Sequence, residues 1–142
     1  MRAAFEPTTD VRDYRFCHRL RVRFAETDAM GVVHHAAYLP YLEECRVEFL
    51  RSVGPPFDEI RREGFELPVV DISAHYLRPL RFDDVVDVHL SVATARGATF
   101  ELGYLLCVAD EARATAVSRH GVVGPAGRPV RCPDWLAALA RT

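Results

Sequence analysis

Asp28 is the residue best placed to do chemistry. It falls in Arg23-Phe24-Ala25-Glu26-Thr27-Asp28-Ala29-Met30-Gly31-Val32-Val33-His34-His35-Ala36-Ala37-Tyr38, where a strand pattern runs into an acidic turn, a glycine loop and an apolar helix. A carboxylate near a helix start can attack a carbonyl carbon or activate a water, while backbone N–H groups hold the developing oxyanion. An isolated Asp at such a junction more often only shapes a turn or caps a helix. Here the loop feeds a long helix, so free N–H donors are expected near His35 and Ala36. Gly31 allows a sharp turn and close approach of a substrate. Glu26 lies two residues before Asp28 and reads as a solvated turn charge rather than half of a carboxylate pair.

The elements that must hold this loop follow from periodicity. Leu20, Val22 and Phe24 alternate with Arg19, Arg21 and Arg23, the mark of a half-buried strand. Tyr38 to Val53 is helical. Leu39, Leu42, Val47, Leu50 and Val53, with Tyr38, Tyr41, Cys45 and Phe49, give a wide apolar surface that should pack on a sheet over much of its circumference. Pro40 must lie in the first turn, and Gly54-Pro55-Pro56 ends the helix. Phe57 to Gly64 suggests a short second helix. Four strands follow: Val70 to Tyr76, Val86 to Val92, Phe100 to Val108 beyond an Arg96-Gly97-Ala98 turn, and a small-residue stretch from Ala112 to Val123. Pro133 to Ala140 reads as a short terminal helix. Strand, long helix and four strands in meander-like succession give an α+β layered domain, an antiparallel sheet of about five strands around one helix. Residues 1–15 show no clean period and read as a leader; residues 16–142 read as one domain.

Composition narrows the class. With 142 residues, 49% apolar and 27% charged, the chain is an ordinary globular domain. A net charge of −2 argues against a nucleic-acid partner. No apolar run reaches the ~18 residues of a membrane span, and the N-terminus lacks a secretory apolar region. Cys17, Cys45, Cys107 and Cys132 are widely spaced without C-x-x-C, which reads as reduced thiols in a cytoplasmic protein. No phosphate loop, dinucleotide fingerprint or H-E-x-x-H occurs, so neither a metal nor a cofactor is expected.

Asp28, Gly31, Val32, Val33, His35 and Tyr38, then Tyr41, Leu42, Glu43 and Arg46, resemble the loop and helix of the 4-hydroxybenzoyl-CoA thioesterase family. Leu77-Arg78-Pro79-Leu80-Arg81-Phe82-Asp83-Asp84 looks like that family's strand-to-turn segment. The resemblance implies a hotdog fold and hydrolysis of an acyl-CoA thioester. It implies Asp28 as the catalytic carboxylate and His35 as a backbone oxyanion donor, with Gly31 and Ala36 beside them; some relatives also carry a His there, which makes the His35 imidazole, and more weakly that of His34, a candidate for polarisation or proton transfer. Tyr38, Tyr76, Arg78 and Arg81 are the substrate-binding candidates, and Arg96 and Arg128 also suit phosphate contacts. A helix Glu is catalytic in one subgroup that generally lacks the loop aspartate, so Glu43 is read as an ion pair with Arg46. Phe24 stands where some relatives have Tyr, and His34 replaces a common aromatic residue. The resemblance further implies a homodimer or tetramer with sheets paired edge to edge. The helix motif and Leu77 to Asp84 would then meet across subunits rather than within one. Three other readings stay open: an acyl-carrier-protein thioesterase, a hotdog dehydratase of a polyketide or fatty-acid pathway, and a non-catalytic acyl-binding module. The Asp28-x-x-Gly31 loop argues against the last.

Overall fold

Alternating strands and one helix with an apolar stripe must bury two kinds of face, and a sheet wrapped around the helix does both. The computed structural model describes residues 6–140. In it β1 (Phe16–Arg21), β2 (Val69–Tyr76), β3 (Val85–Arg96), β4 (Thr99–Val108) and β5 (Glu111–Gly121) form one antiparallel sheet, ordered β1-β3-β4-β5-β2. The long helix α1 (Tyr38–Val53) packs on one face; α2 (Phe57–Arg62) follows it, and α3 (Asp134–Leu139) ends the described chain. Val88 pairs with Leu106, Leu90 with Tyr104 and Val92 with Leu102, so the inward faces of β3 and β4 are in register. These side chains form a core with Tyr41, Leu42, Cys45 and Phe49 of α1. This is the hotdog arrangement.

Four expectations change. The meander holds for β3, β4 and β5, but β2 crosses to the far edge and pairs with β5, Ile72 opposite Ser118 and Ala74 opposite Ala116. Period-two patterning fixes a strand's faces and leaves its neighbour open. The first strand stops at Arg21, because a 3₁₀ turn at Phe24–Glu26 breaks the alternation. Val22 stays buried, while Phe24 is 74% exposed and meets Phe82 edge-on at 5.6 Å. β4 is buried on both faces, not one: Leu105 and Cys107, pointing away from α1, are also covered. Tyr14, in the segment before β1, sits 6.3 Å from His89, the residue opposite Leu105. Burial pushes the Tyr14 phenol up to about 12. Finally, α1 is not enclosed all round. Its buried stripe is Tyr38, Tyr41, Leu42, Cys45, Phe49 and Leu50, and Leu39 is 43% exposed.

Residues 1–5 of the expected leader lie outside the described residues. The segment leading into β1 is fixed locally: Asp10 caps the turn Val11–Asp13, and the Arg15 N–H donates to Ser91 Oγ at 3.0 Å. Pro40 lies in the first turn of α1, where its missing N–H removes no helical bond. The helix stops where the Trp135 ring packs over Gly54, since a Cβ there would come 3.0 Å from the ring.

Phe49 has no solvent exposure, so Phe49→Ala should lower stability by about 3–5 kcal/mol in urea unfolding. Leu39→Ala on the open flank should cost ~0.5 kcal/mol or less. Equal losses at the two positions would contradict this assignment of the helix faces.

Candidate active site

The loop between β1 and α1 is a small hairpin tied at its neck by Glu26. The Arg23 N–H and guanidinium donate to the Glu26 carboxylate at 2.8 and 2.9 Å, and the Tyr41 hydroxyl donates to it at 2.6 Å. The Glu26 carbonyl accepts the His34 N–H at 2.8 Å. One residue thereby joins the strand exit, the returning loop and the helix. Its side chain is only 13% exposed, so Glu26 is not the solvated turn charge expected from sequence. Burial pushes the Glu26 carboxyl up, but the hydrogen bonds from Tyr41 and Arg23 outweigh it and hold the group below its ordinary range. Burial, then the bond to Glu26, push the Tyr41 phenol far up, so it stays a donor.

Beyond the neck Thr27 pairs with Val33, and a tight turn spans Asp28 to Gly31. The Gly31 N–H donates to the Asp28 carbonyl at 3.0 Å, and the Asp28 N–H to the Val32 carbonyl at 2.8 Å. Gly31 has φ +78°, and the space its Cβ would enter is open. Turn geometry requires the glycine here; close packing does not. The Met30 N–H donates to Asp28 Oδ1 at 2.8 Å, which sets the rotation of the carboxylate. Oδ2 has no donor among the described residues.

The helix start departs from expectation in one respect. His34 caps the 3₁₀ turn His35–Ala37: its Nδ1 accepts the Ala36 N–H at 3.1 Å, and its ring stacks on His35 at 4.2 Å. The Ala36 N–H, expected as an oxyanion donor, is therefore already satisfied by a side chain. The His35 N–H makes no hydrogen bond among the described residues. The Tyr76 hydroxyl donates to the His35 carbonyl at 3.1 Å, and the Tyr76 ring meets Tyr38 edge-on at 4.8 Å.

These contacts place Asp28, His35 and Tyr38 on one cleft of about 330 Å³ with Tyr76 and Arg78. Val32, Leu77 and Pro79 supply apolar wall. The stretch from Tyr76 to Arg81 was expected to line the channel from a partner subunit; Leu77 and Pro79 line the cleft within the same chain. The helix motif and the Leu77–Asp84 segment thus meet within one chain: the Val33 N–H donates to the Leu80 carbonyl at 2.8 Å, and Val32 bridges to Arg81. This overturns the expectation that they meet only across subunits. The bridge was invisible in sequence because it joins residues about fifty apart. Arg81 holds the cleft's frame through its backbone, its N–H donating to Asp84 Oδ2 at 2.8 Å, but its side chain is not among the lining groups. Arg96 ends β3, eleven residues from Val85, which is about 35 Å of strand; Arg128 lies in the loop at that same end. Neither reaches this cleft in the same chain. Glu43 does sit 3.9 Å from Arg46, but Arg46 turns inward and donates to the Tyr104 hydroxyl at 3.3 Å.

Among the described residues no group of three His, Cys, Asp or Glu is arranged to hold a metal ion. No helix among them is long and apolar enough to cross a membrane. Residues 22–139 match the sequence pattern of the thioesterase-like superfamily. The chain belongs to that superfamily. The thioesterase is 33% identical, over 128 residues, to a Bacillus subtilis protein provisionally named acyl-CoA thioesterase YneP, covering 86% of this chain and 93% of the relative. It is 29% identical over 124 residues to the 1,4-dihydroxy-2-naphthoyl-CoA hydrolase of Picosynechococcus, covering 82% and 84%. The crystal structure of a hypothetical protein from Aquifex aeolicus superposes on the enzyme with a TM-score of 0.82 at 39% identity, covering 89% of this chain and 99% of that one.

Because the Glu26 carboxyl is held below its ordinary value of 4.5, its ionisation stabilises the folded state above about pH 4.5, and this contribution is lost as the pH falls through the folded value. Tyr41→Phe removes the hydroxyl that helps hold it down. The variant should lose stability at pH 7, and its deficit relative to wild type should shrink toward pH 3, read from urea midpoints. A deficit constant across that range would show that Tyr41 acts by packing alone.

Proposed function

We propose that this enzyme hydrolyses acyl-CoA thioesters at the Asp28 cleft, in the manner of the 4-hydroxybenzoyl-CoA thioesterases. The observation that carries the reading is the convergence of Asp28, His35 and Tyr76 on one cleft, with one Asp28 oxygen and the His35 N–H both free of internal partners among the described residues. In thioester hydrolysis negative charge builds on the carbonyl oxygen as the carbonyl carbon is attacked. The His35 N–H, at the positive end of the turn leading into α1, stabilises that charge. The Asp28 carboxylate either attacks the carbon, forming an anhydride that water then opens, or deprotonates the attacking water. The C–S bond breaks, and the thiolate takes up a proton: the one Asp28 removed from the water in the second route, or one relayed from solvent by the His35 imidazole on the cleft wall in the first. Tyr38 and Tyr76 wall the acyl group, and Arg78 at the mouth suits a CoA phosphate. The reading needs no metal and no cofactor, and it places a soluble enzyme in the cytoplasm.

The proposal includes a homodimer. β2 is an edge strand, paired with β5 on one side and with no strand on the other among the described residues, and Val70 on it is 57% exposed beside exposed Val69, Tyr76 and Leu77. A second copy pairing there would extend the sheet, cover this apolar edge and bring partner residues to the mouth of the cleft; stacking of two such dimers gives the tetramer.

Asp28→Asn should lower kcat by ~100-fold or more on the best substrate of a screen across short, long and aromatic acyl-CoAs, with acyl-carrier-protein substrates run alongside. Wild-type turnover in that variant would end this mechanism. In single-turnover hydrolysis in ¹⁸O water, label in Asp28 marks an anhydride opened at the Asp28 carboxyl carbon, since direct attack by water on the thioester puts the label only in the product acid. EDTA should leave turnover unchanged; its loss, restored by a defined metal, would show a metal requirement. In light scattering the protein should show at least twice the 16.0 kDa mass of one chain, and Val70→Lys should shift it toward monomer. An active wild-type monomer would remove the two-subunit arrangement.

A further inference from the structure

A second cleft, of about 320 Å³, opens between α1, α2, the segment before β2, and the start of β4 with the end of β5. It shares no lining residue with the cleft at Asp28. Arg46 lies eleven residues past His35, about 16 Å along the helix. Its walls are apolar, with Leu50, Ile60, Phe65 and Phe100 among them, and its polar groups are Arg46, Arg61, Glu66 and His120.

The floor of this cleft is a chain of hydrogen bonds in which the position of each proton can be worked out. Arg46 Nη1 donates to Tyr104 Oη at 3.3 Å; Tyr104 Oη and Ser118 Oγ lie 2.7 Å apart; Ser118 Oγ and His120 Nε2 lie 2.7 Å apart. Tyr104, Ser118 and His120 are fully buried. A guanidinium only donates, so Tyr104 accepts from Arg46. Among the described residues Ser118 Oγ is the one acceptor within reach of the buried Tyr104 hydroxyl, so the Tyr104 hydrogen goes to Ser118, and the Ser118 hydrogen to His120 Nε2. A neutral imidazole in that position carries its own proton on Nδ1. Burial, and next the Arg46 charge, bring His120 down to about 4, so the ring is neutral at pH 7. Its Nδ1 is buried and makes no full hydrogen bond among the described residues, although the Leu67 backbone favours a proton on the ring. A buried donor left without an acceptor is costly, and a ligand oxygen removes that cost. Arg46 supplies further donors: it is 12% exposed, and its Glu43 neighbour at 3.9 Å is too distant for a hydrogen bond.

We propose that this cleft binds a small monocarboxylate with an apolar body, the carboxylate accepting from His120 Nδ1–H and the Arg46 guanidinium. Arg61 adds a second positive charge, against the one lining carboxylate, Glu66. The apolar walls take a ring or a short chain. The assignment stands apart from the reaction at Asp28 and is tested without turnover. The probes are benzoate, and toluene as a similar apolar body with no acceptor. Benzoate should bind saturably at ~1 mM or tighter and shift the ¹⁵N signal of His120 Nδ1 in the wild-type protein. His120→Phe should weaken benzoate at least ~10-fold, Asp28→Asn should leave it unchanged, and toluene should bind worse. If His120→Phe does not fold, Val47→Trp, which fills the cleft from the helix surface, should abolish binding. No saturable binding, an unmoved His120 signal, toluene as strong as benzoate, or a loss with Asp28→Asn would each overturn the proposal.

Discussion

The site depends on one nearly buried carboxylate. Glu26 could not sit at 13% exposure unless its oxygens were filled, because an ionised group taken from water without partners is strongly disfavoured. The Tyr41 hydroxyl and the Arg23 N–H and guanidinium fill them. Those partners come from just beyond β1, at Arg23, and from Tyr41 near the start of α1, and the Glu26 carbonyl reaches the His34 N–H on the loop's return. Meeting the needs of one carboxylate therefore fixes the distance between sheet and helix and closes the loop neck. The turn carrying Asp28 then projects from a rigid base, which is what a positioned reactive group requires.

That base rests on the sheet. β4 is buried on both faces, and its inward residues pack on α1 through Tyr41, Leu42, Cys45 and Phe49. Tyr41 belongs to both systems: its ring is in this core and its hydroxyl is in the loop neck. Core packing thus transmits directly to the site, and a change at Phe49 or Leu42 would move the Glu26 anchor without touching the cleft. β2 plays the matching part on the other wall. It is an edge strand, yet its last residue, Tyr76, is tied to the His35 carbonyl and packed on Tyr38.

What was legible in the sequence was whatever depends on short-range periodicity. α1 runs over Tyr38 to Val53 as the pattern and Pro40 with Gly54-Pro55-Pro56 required, and the four later strands overlap the stretches expected for them, while the first lies earlier, at Phe16–Arg21. Asp28, His35, Tyr38, Tyr76 and Arg78 do converge on a cleft. The misses share a cause: each depends on a contact between residues that sequence spacing does not relate. Alternation in β2 shows its faces but not that β5 is its partner. The bridge from Val32 to Arg81 brings two motifs together inside one chain. Whether Ala36 keeps a free N–H depends on the rotamer of His34, and whether Glu26 is solvated depends on Tyr41, fifteen residues away.

Glu26 and Asp28 carry the same chemical group two residues apart, and their surroundings engage the two differently. Glu26 receives donors from two side chains and a backbone N–H, and these hold its proton affinity low. A carboxylate so engaged is a poor base and a poor nucleophile, because its lone pairs are already committed. Asp28 receives one backbone N–H on Oδ1, enough to orient the group, and keeps Oδ2 open. The turn at Gly31 makes this difference: it lifts Asp28 out of the neck and swings the chain back so that His34 returns to Glu26. Replacing Gly31 with a β-carbon residue would strain the φ of +78° without any clash, so its effect would act through the aim of Asp28 rather than through crowding of the cleft.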